Sequence, residues 1–163
     1  MAKKKTSGST PATAALAKLG IPYRARAYEH DPAVSDFGRE AAEKLGTPAE
    51  RIFKTLLAQV DGALAVAVVP VSGKLDLKAL ASALGARRAV MAEPAVAERK
   101  TGYIVGGISP IGQRTALPTV IDRSALDFET VLVSGGRRGF DIELAPEDLL
   151  LATGGSAALI ARG

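Results

Sequence analysis

Apolar positions along the first half of the chain switch between helical and extended spacing in short segments. Ala14, Ala15, Leu16 and Leu19 follow Thr10-Pro11, an N-cap residue with proline at the first helical position. Gly20 stops that run where a left-handed residue is cheap. Tyr23 to Tyr28 alternates as a half-buried strand does, and Glu29-His30-Asp31-Pro32 breaks it. A helix is predicted from about Asp36 to Leu45, ended by Gly46, and Thr47-Pro48-Ala49-Glu50 reads as a capping box opening a short helical turn. Ile52–Ala58 and Leu64–Val69 are apolar on alternate and intervening positions alike, so their sheet should be covered on both faces. Asp61-Gly62 between them is a strong hairpin signal.

Leu77, Leu80 and Leu84 predict an amphipathic helix over Leu75–Leu84, stopped by Gly85. Ala89-Val90-Met91 reads as a short strand, and Pro94 opens a short helix that ends near Gly102. The last third is strand-rich, at 118–122, 130–134 and 140–144, before a helix from Pro146 through Leu151. There is no internal repeat and no linker after residue 10. The pattern predicts one α/β (α+β) domain with a mixed sheet. Its strands are not regularly interleaved with long helices, so a doubly wound parallel sheet fits poorly.

Composition narrows the chemistry more than the fold. A chain of 163 residues, 47% apolar and 23% charged, is an ordinary soluble domain. It has no cysteine, which excludes a disulfide framework, a thiolate metal site and a cysteine nucleophile. With a single histidine, His30, a protein zinc site is disfavoured too. Chemistry must come from carboxylates, Lys, Tyr, hydroxyls, backbone amides or the substrate itself. The net charge of +4 suggests a polyanionic partner, but Lys3, Lys4 and Lys5 account for most of it. The remainder has 18 bases against 17 acids, or +1. Residues 1–9 read as a disordered basic tail ahead of a domain at 10–163, without the apolar core of a signal peptide. No apolar run approaches the ~20 residues that span a bilayer, so the expected location is cytoplasmic.

Familiar catalytic motifs fail. Ser72-Gly73-Lys74-Leu75 lacks the upstream glycine and the hydroxyl residue of a P-loop. Gly107-Ile108-Ser109-Pro110 cannot be a serine nucleophile elbow, because Pro110 has no N–H for an oxyanion hole. Three anomalies remain. Lys54 shares a strand face with Ile52, Leu56 and Ala58, so it either snorkels at an edge or points into a wet or anionic cavity. The loop from Thr101 to Gly112 carries four glycines and a proline, a plain turn or a backbone shaped to approach a ligand. Val133-Ser134-Gly135-Gly136-Arg137-Arg138-Gly139-Phe140-Asp141 joins a hydroxyl at a strand end, two turn arginines and a carboxylate. By alternation alone Asp141 is an ordinary outward position. None of these names a function by itself.

As a set they resemble the YbaK-type Cys-tRNA(Pro) deacylases, relatives of the editing domain inserted in some bacterial prolyl-tRNA synthetases. The resemblance runs from about Thr10 to the C-terminus. It is carried by Tyr28-Glu29-His30-Asp31-Pro32, Phe53-Lys54-Thr55-Leu56, Leu75-Asp76-Leu77-Lys78, the glycine loop with its Gly106-Gly107-Ile108-Ser109-Pro110 element, and Val133 to Gly136 through Asp141-Ile142-Glu143-Leu144. It implies a curved, partly barrel-like mixed sheet flanked by helices, with a pocket for the aminoacylated tRNA end. Family roles would fall on Lys54, Gly106, Ser134 and Asp141 as catalytic residues, and on Tyr28, Gly107, Ser109 and Pro110 as substrate contacts. Lys54 would hold the terminal adenosine or its phosphate. Amides around Gly106 would receive the charge developing on the ester carbonyl. Tyr28, Ser134 and Asp141 would position the aminoacyl group and its amine.

The same resemblance accounts for the missing nucleophile, since the substrate cysteine's thiol would attack its own ester carbonyl. It implies trans-editing of Cys-tRNA(Pro), with Cys-tRNA(Cys) a further candidate, beside prolyl-tRNA synthetase and with neither cofactor nor metal. A body charge of +1 agrees with a weak intrinsic hold on tRNA. Two alternatives stay open: a deacylase for another small amino acid, such as Ala-tRNA(Pro), and a non-catalytic module that binds tRNA ends or a synthetase.

Overall fold

The computed structural model describes residues 9–163, so the expected basic tail lies outside the described residues except for Ser9. Helix α1 (Pro11–Leu19) starts at a reciprocal cap between Thr10 and Thr13 and ends on Gly20 at φ 69°. Helix α2 (Phe37–Leu45) is capped by the Asp36 carboxylate and closed by left-handed Gly46. Helices α3 (Leu77–Ala83), α4 (Pro94–Thr101) and α5 (Pro146–Thr153) complete the set. Helix α3 begins later than its leucine spacing suggests, because Lys74–Leu75 is extended and Asp76 makes the cap. The capping box at Thr47 does not form. Ala49–Arg51 is a single 3-10 turn without a side-chain cap, and the Thr47 hydroxyl donates to the Leu45 carbonyl at the end of α2. No described helix is long and apolar enough to cross a membrane.

The strands are β1 (Arg24–Ala27), β2 (Phe53–Val60), β3 (Ala63–Pro70), β4 (Lys74–Leu75), β5 (Ala89–Met91), β6 (Thr119–Asp122), β7 (Val131–Arg137), β8 (Phe140–Leu144), β9 (Ser156–Ala158) and β10 (Ala161–Arg162). They form a five-stranded mixed sheet in the order β5-β2-β3-β6-β9, an antiparallel sheet β1-β8-β7, and a β10-β4 pair. A parallel bridge between Ile52 and Leu132 ties the two larger sheets together, short of a closed barrel. The mixed α/β single domain expected from the sequence is therefore present, with its strands divided over three sheets.

The β2–β3 hairpin turns at Asp61 and Gly62, both at positive φ, as a two-residue turn matched to strand twist requires. Both faces of this hairpin are covered. Phe53, Leu57, Val66 and Val68 enter the main core with α1, α5 and β8. Ala58, Val60, Ala67 and Val69 pack on a second cluster around Leu80 and Ile160. Strand β1, expected to be half-buried, lies at a sheet edge with only Arg26 partly covered.

Candidate active site

Ser134 of β7 and Asp141 of β8 are direct cross-strand partners, and Arg26 of β1 faces Asp141 from the other side. Such partners share one face of a sheet. The opposite face sends Val131, Val133, Phe140 and Ile142 into the main core. Tyr28 follows Arg26 by two residues and is anchored by its N–H to the Gly139 carbonyl at 2.9 Å. Alternation made Asp141 an outward residue, but Ala41 of α2 and Ile52 pack against Leu132 on this same face. The face is covered, and Asp141 is buried, 7% exposed.

Burial pushes the Asp141 carboxyl up to about 7, with the charge of Arg26 working against it. Arg26 is itself paired with Glu143 at 2.6 Å. Burial, followed by the charges of Asp141 and Glu40, raises the Tyr28 phenol to about 12, so it stays protonated and can donate. The Ser134 hydroxyl accepts the Gly136 N–H at 3.2 Å and keeps its own hydrogen for a ligand.

Lys54 is the second residue of β2, paired with Val69, half-buried and without an ion pair among the described residues. The loop after α4 supplies the remaining wall. Its Val105 N–H donates to Glu98 Oε2 at 2.9 Å, and its Gly107 N–H closes a turn on the Ile104 carbonyl at 2.8 Å. Gly106 sits at φ +90°, where a Cβ would lie 2.9 Å from both Arg138 Nε and the Phe37 ring. Only glycine fits that backbone and that space.

Tyr28, Lys54, Gly106, Ser134 and Asp141 line one cavity of about 250 Å³. Gly107, Ser109 and Pro110 are not among its lining residues. The Gly107 N–H is engaged in the turn, and a Cβ on Gly107 would strike the Arg137 backbone at 2.7 Å. Ser109 is fully buried, with its hydroxyl accepting the Ile111 N–H, and Pro110 lines a separate depression with Gly112 and Gln113. The turn at 104–107 directs the rest of the loop away from the cavity. His30 is also outside it, 2.7 Å from the buried Glu40 carboxylate.

Several lining residues were not assigned to the site from the sequence, Thr55 and Phe37 among them. Thr55 alternates with Lys54 and so reads as core, yet its buried hydroxyl has no hydrogen-bond partner among the described residues, and Thr55 borders the cavity. Phe37 opens α2 and packs beside Arg138, 4.8 Å from ring centroid to guanidinium. A buried orphan hydroxyl costs about 1–3 kcal/mol and is the one signal that singles out Thr55, but it is visible only in three dimensions.

A covered sheet face thus brings a cation, a carboxyl, hydroxyls and a glycine turn around one cavity, a candidate small-molecule site. Residues 31–151 match the aminoacyl-tRNA editing domain, and the chain belongs to that family. It is 41% identical to EbsC of Enterococcus faecalis, named as a candidate Cys-tRNA(Pro)/Cys-tRNA(Cys) deacylase, over 98% of each chain. Over 87 residues, 53% of this chain and 15% of the other, it is 34% identical to a proline–tRNA ligase of Acidithiobacillus ferrooxidans. The crystal structure of a candidate trans-editing enzyme for prolyl-tRNA synthetase shares the fold, with a TM-score of 0.82 at 24% identity over 98% of this chain and 100% of that one.

Proposed function

We propose that this protein is a trans-acting deacylase that cleaves the ester of mischarged Cys-tRNA(Pro), with Cys-tRNA(Cys) as a second substrate, beside prolyl-tRNA synthetase. The observation that carries the reading is the convergence of Tyr28, Lys54, Gly106, Ser134 and Asp141 on one cavity that offers positioning groups but no equipped nucleophile. Ser134 has no imidazole beside it, because the single histidine is held by Glu40 outside the cavity. The likeness to EbsC over nearly the whole chain supports the substrate class.

In this reading Lys54 holds the terminal adenosine through its phosphate, a charge-assisted contact. Asp141, Ser134 and Tyr28 orient the aminoacyl group and its ammonium. The cysteine thiol then attacks its own carbonyl carbon, the Gly106 amide receives the developing oxyanion, and the carbon–oxygen bond to the ribose breaks. The thiol proton ends on the ribose oxygen, and the amino acid leaves as a cyclic thioester that water hydrolyses. Orientation and oxyanion stabilisation are large enough terms to carry such a step without a protein nucleophile.

Deacylation of Cys-, Ala- and Pro-tRNA(Pro), with and without prolyl-tRNA synthetase, tests this. Preference for Cys-tRNA(Pro) supports the proposal. Preference for Ala-tRNA(Pro) would move the protein to another small amino acid, and binding without turnover to an accessory role.

A further inference from the structure

Three consecutive amides, those of Val105, Gly106 and Gly107, lie in the turn whose Val105 and Gly106 line the cavity, and two of the three are occupied. Val105 N–H donates to Glu98 Oε2 and Gly107 N–H to the Ile104 carbonyl. Gly106 N–H has no partner among the described residues, and Gly106 lines the cavity. What fixes its direction is a residue outside the lining. Arg138, in the turn between β7 and β8, donates its Nε–H to the Val105 carbonyl at 2.9 Å while its guanidinium lies on the Phe37 ring.

A peptide unit is planar, and the Val105–Gly106 bond, like every other among the described residues, is trans. In a trans unit the carbonyl and the following N–H point in opposite directions. Holding the Val105 oxygen on Arg138 therefore holds the Gly106 N–H pointing away from Arg138. The guanidinium can bond the oxygen and lie flat on an aromatic ring together, whereas a lysine ammonium is a single point charge. The missing Cβ of Gly106 leaves room for this contact, because a methyl there would lie 2.9 Å from Arg138 Nε.

We propose that Arg138 is a positioning residue that aims the Gly106 amide, and that amide alone of the three, at the ester oxygen. The inference rests on the deacylase reading, but part of its test is independent of it. Arg138→Ala and Arg138→Lys, made in the full chain, are compared with the wild type in two ways. The first is single-turnover Cys-tRNA(Pro) deacylation over a range of salt concentrations. The second is the position and hydrogen exchange of the Gly106 amide resonance in the free protein.

Arg138→Ala should lower kcat on the order of tenfold to a hundredfold, as a displaced oxyanion donor does, with KM and its salt dependence unchanged. The Gly106 resonance should move, and added methylguanidinium should restore part of the rate. Arg138→Lys, the variant that keeps the charge should the truncation unfold, should recover only part of kcat. A raised KM with a shallower salt dependence and intact kcat would overturn the proposal and make Arg138 a phosphate contact. An unmoved Gly106 resonance in either folded variant would overturn it whatever the wild type cleaves. A wild type inactive on every aminoacyl-tRNA, with a Gly106 resonance that still moves, would sink the deacylase reading and uphold the peptide's orientation by Arg138.

Discussion

Asp141 and Lys54 are charged residues of the candidate site, and each has a measurable consequence. The Asp141 carboxyl titrates at 3.8 in an unfolded chain and at about 7 in the fold, because burial disfavours its charge. Between those pH values the unfolded state has lost a proton that the folded state keeps. The stability this group contributes is therefore complete below pH 3.8 and is lost as pH rises through about 7. Asp141→Asn should raise Tm by at least about 4 °C at pH 8, the gain shrinking toward pH 4. A thermal melt showing the same difference at both pH values would contradict the burial argument. Lys54→Ala should reduce deacylation by at least about a hundredfold, the scale of a lost positioning contact, with Tm within about 2 °C of wild type. An unchanged rate would remove Lys54 from the site. Lys54 stood out in the sequence because a cation broke an apolar alternation, whereas alternation left Asp141 outward and only the family resemblance pointed to it, since the cover that α2 and Ile52 give its face is not a local pattern.

At the scale of elements, the connection from β1 to α2 is fastened by one buried carboxylate. Glu40 accepts from the Asp31 N–H at 2.8 Å, and lies 2.7 Å from His30 Nδ1 and 3.1 Å from Lys44. Burial pushes its pKa up, but the bonds from Asp31, His30 and Lys44 outweigh that and hold it at about 2. The stability Glu40 supplies is present above its ordinary value of 4.5 and is lost as pH falls toward about 2. Glu40→Gln should lower Tm at pH 7 and speed amide exchange over residues 29–36, with the deficit shrinking as pH falls below 4.5. Unaltered exchange there would show that the segment is held by other contacts. Elements with capping chemistry or a mirror-image turn were legible from local sequence: α1, α2, α5 and the Asp61-Gly62 hairpin. The Thr47 box was misread: Pro48, which has no capping side chain, stands at the N-cap of the 3-10 turn, and Thr47 Oγ1 faces Arg26 and Leu45 instead. Strands β9 and β10, three and two residues long, carry too short a pattern to show period two, and exist through their pairing with β6 and β4. The cavity was legible only as a list of residues, because it is made where two sheets meet at Ile52 and Leu132.

Over the whole molecule the charge is divided unevenly, and this separates attraction from chemistry. Deleting residues 1–9 lowers the net charge from +4 to +1. Turnover at saturating substrate should persist in that truncation, while tRNA binding at low salt weakens and its salt slope falls by up to about three units. Lost turnover in a folded truncation would assign the segment to the site. In the proposed function every part of the molecule acts together: the protein supplies orientation and an oxyanion contact while the substrate supplies the nucleophile. This division is tested most directly by the ratio of single-turnover rates on Cys-tRNA(Pro) and Ser-tRNA(Pro), two nearly isosteric esters that differ in sulfur against oxygen. Cysteine should react far faster than serine, with no covalent aminoacyl adduct on the protein. Comparable rates on the two esters, or an adduct on Ser134, would contradict it.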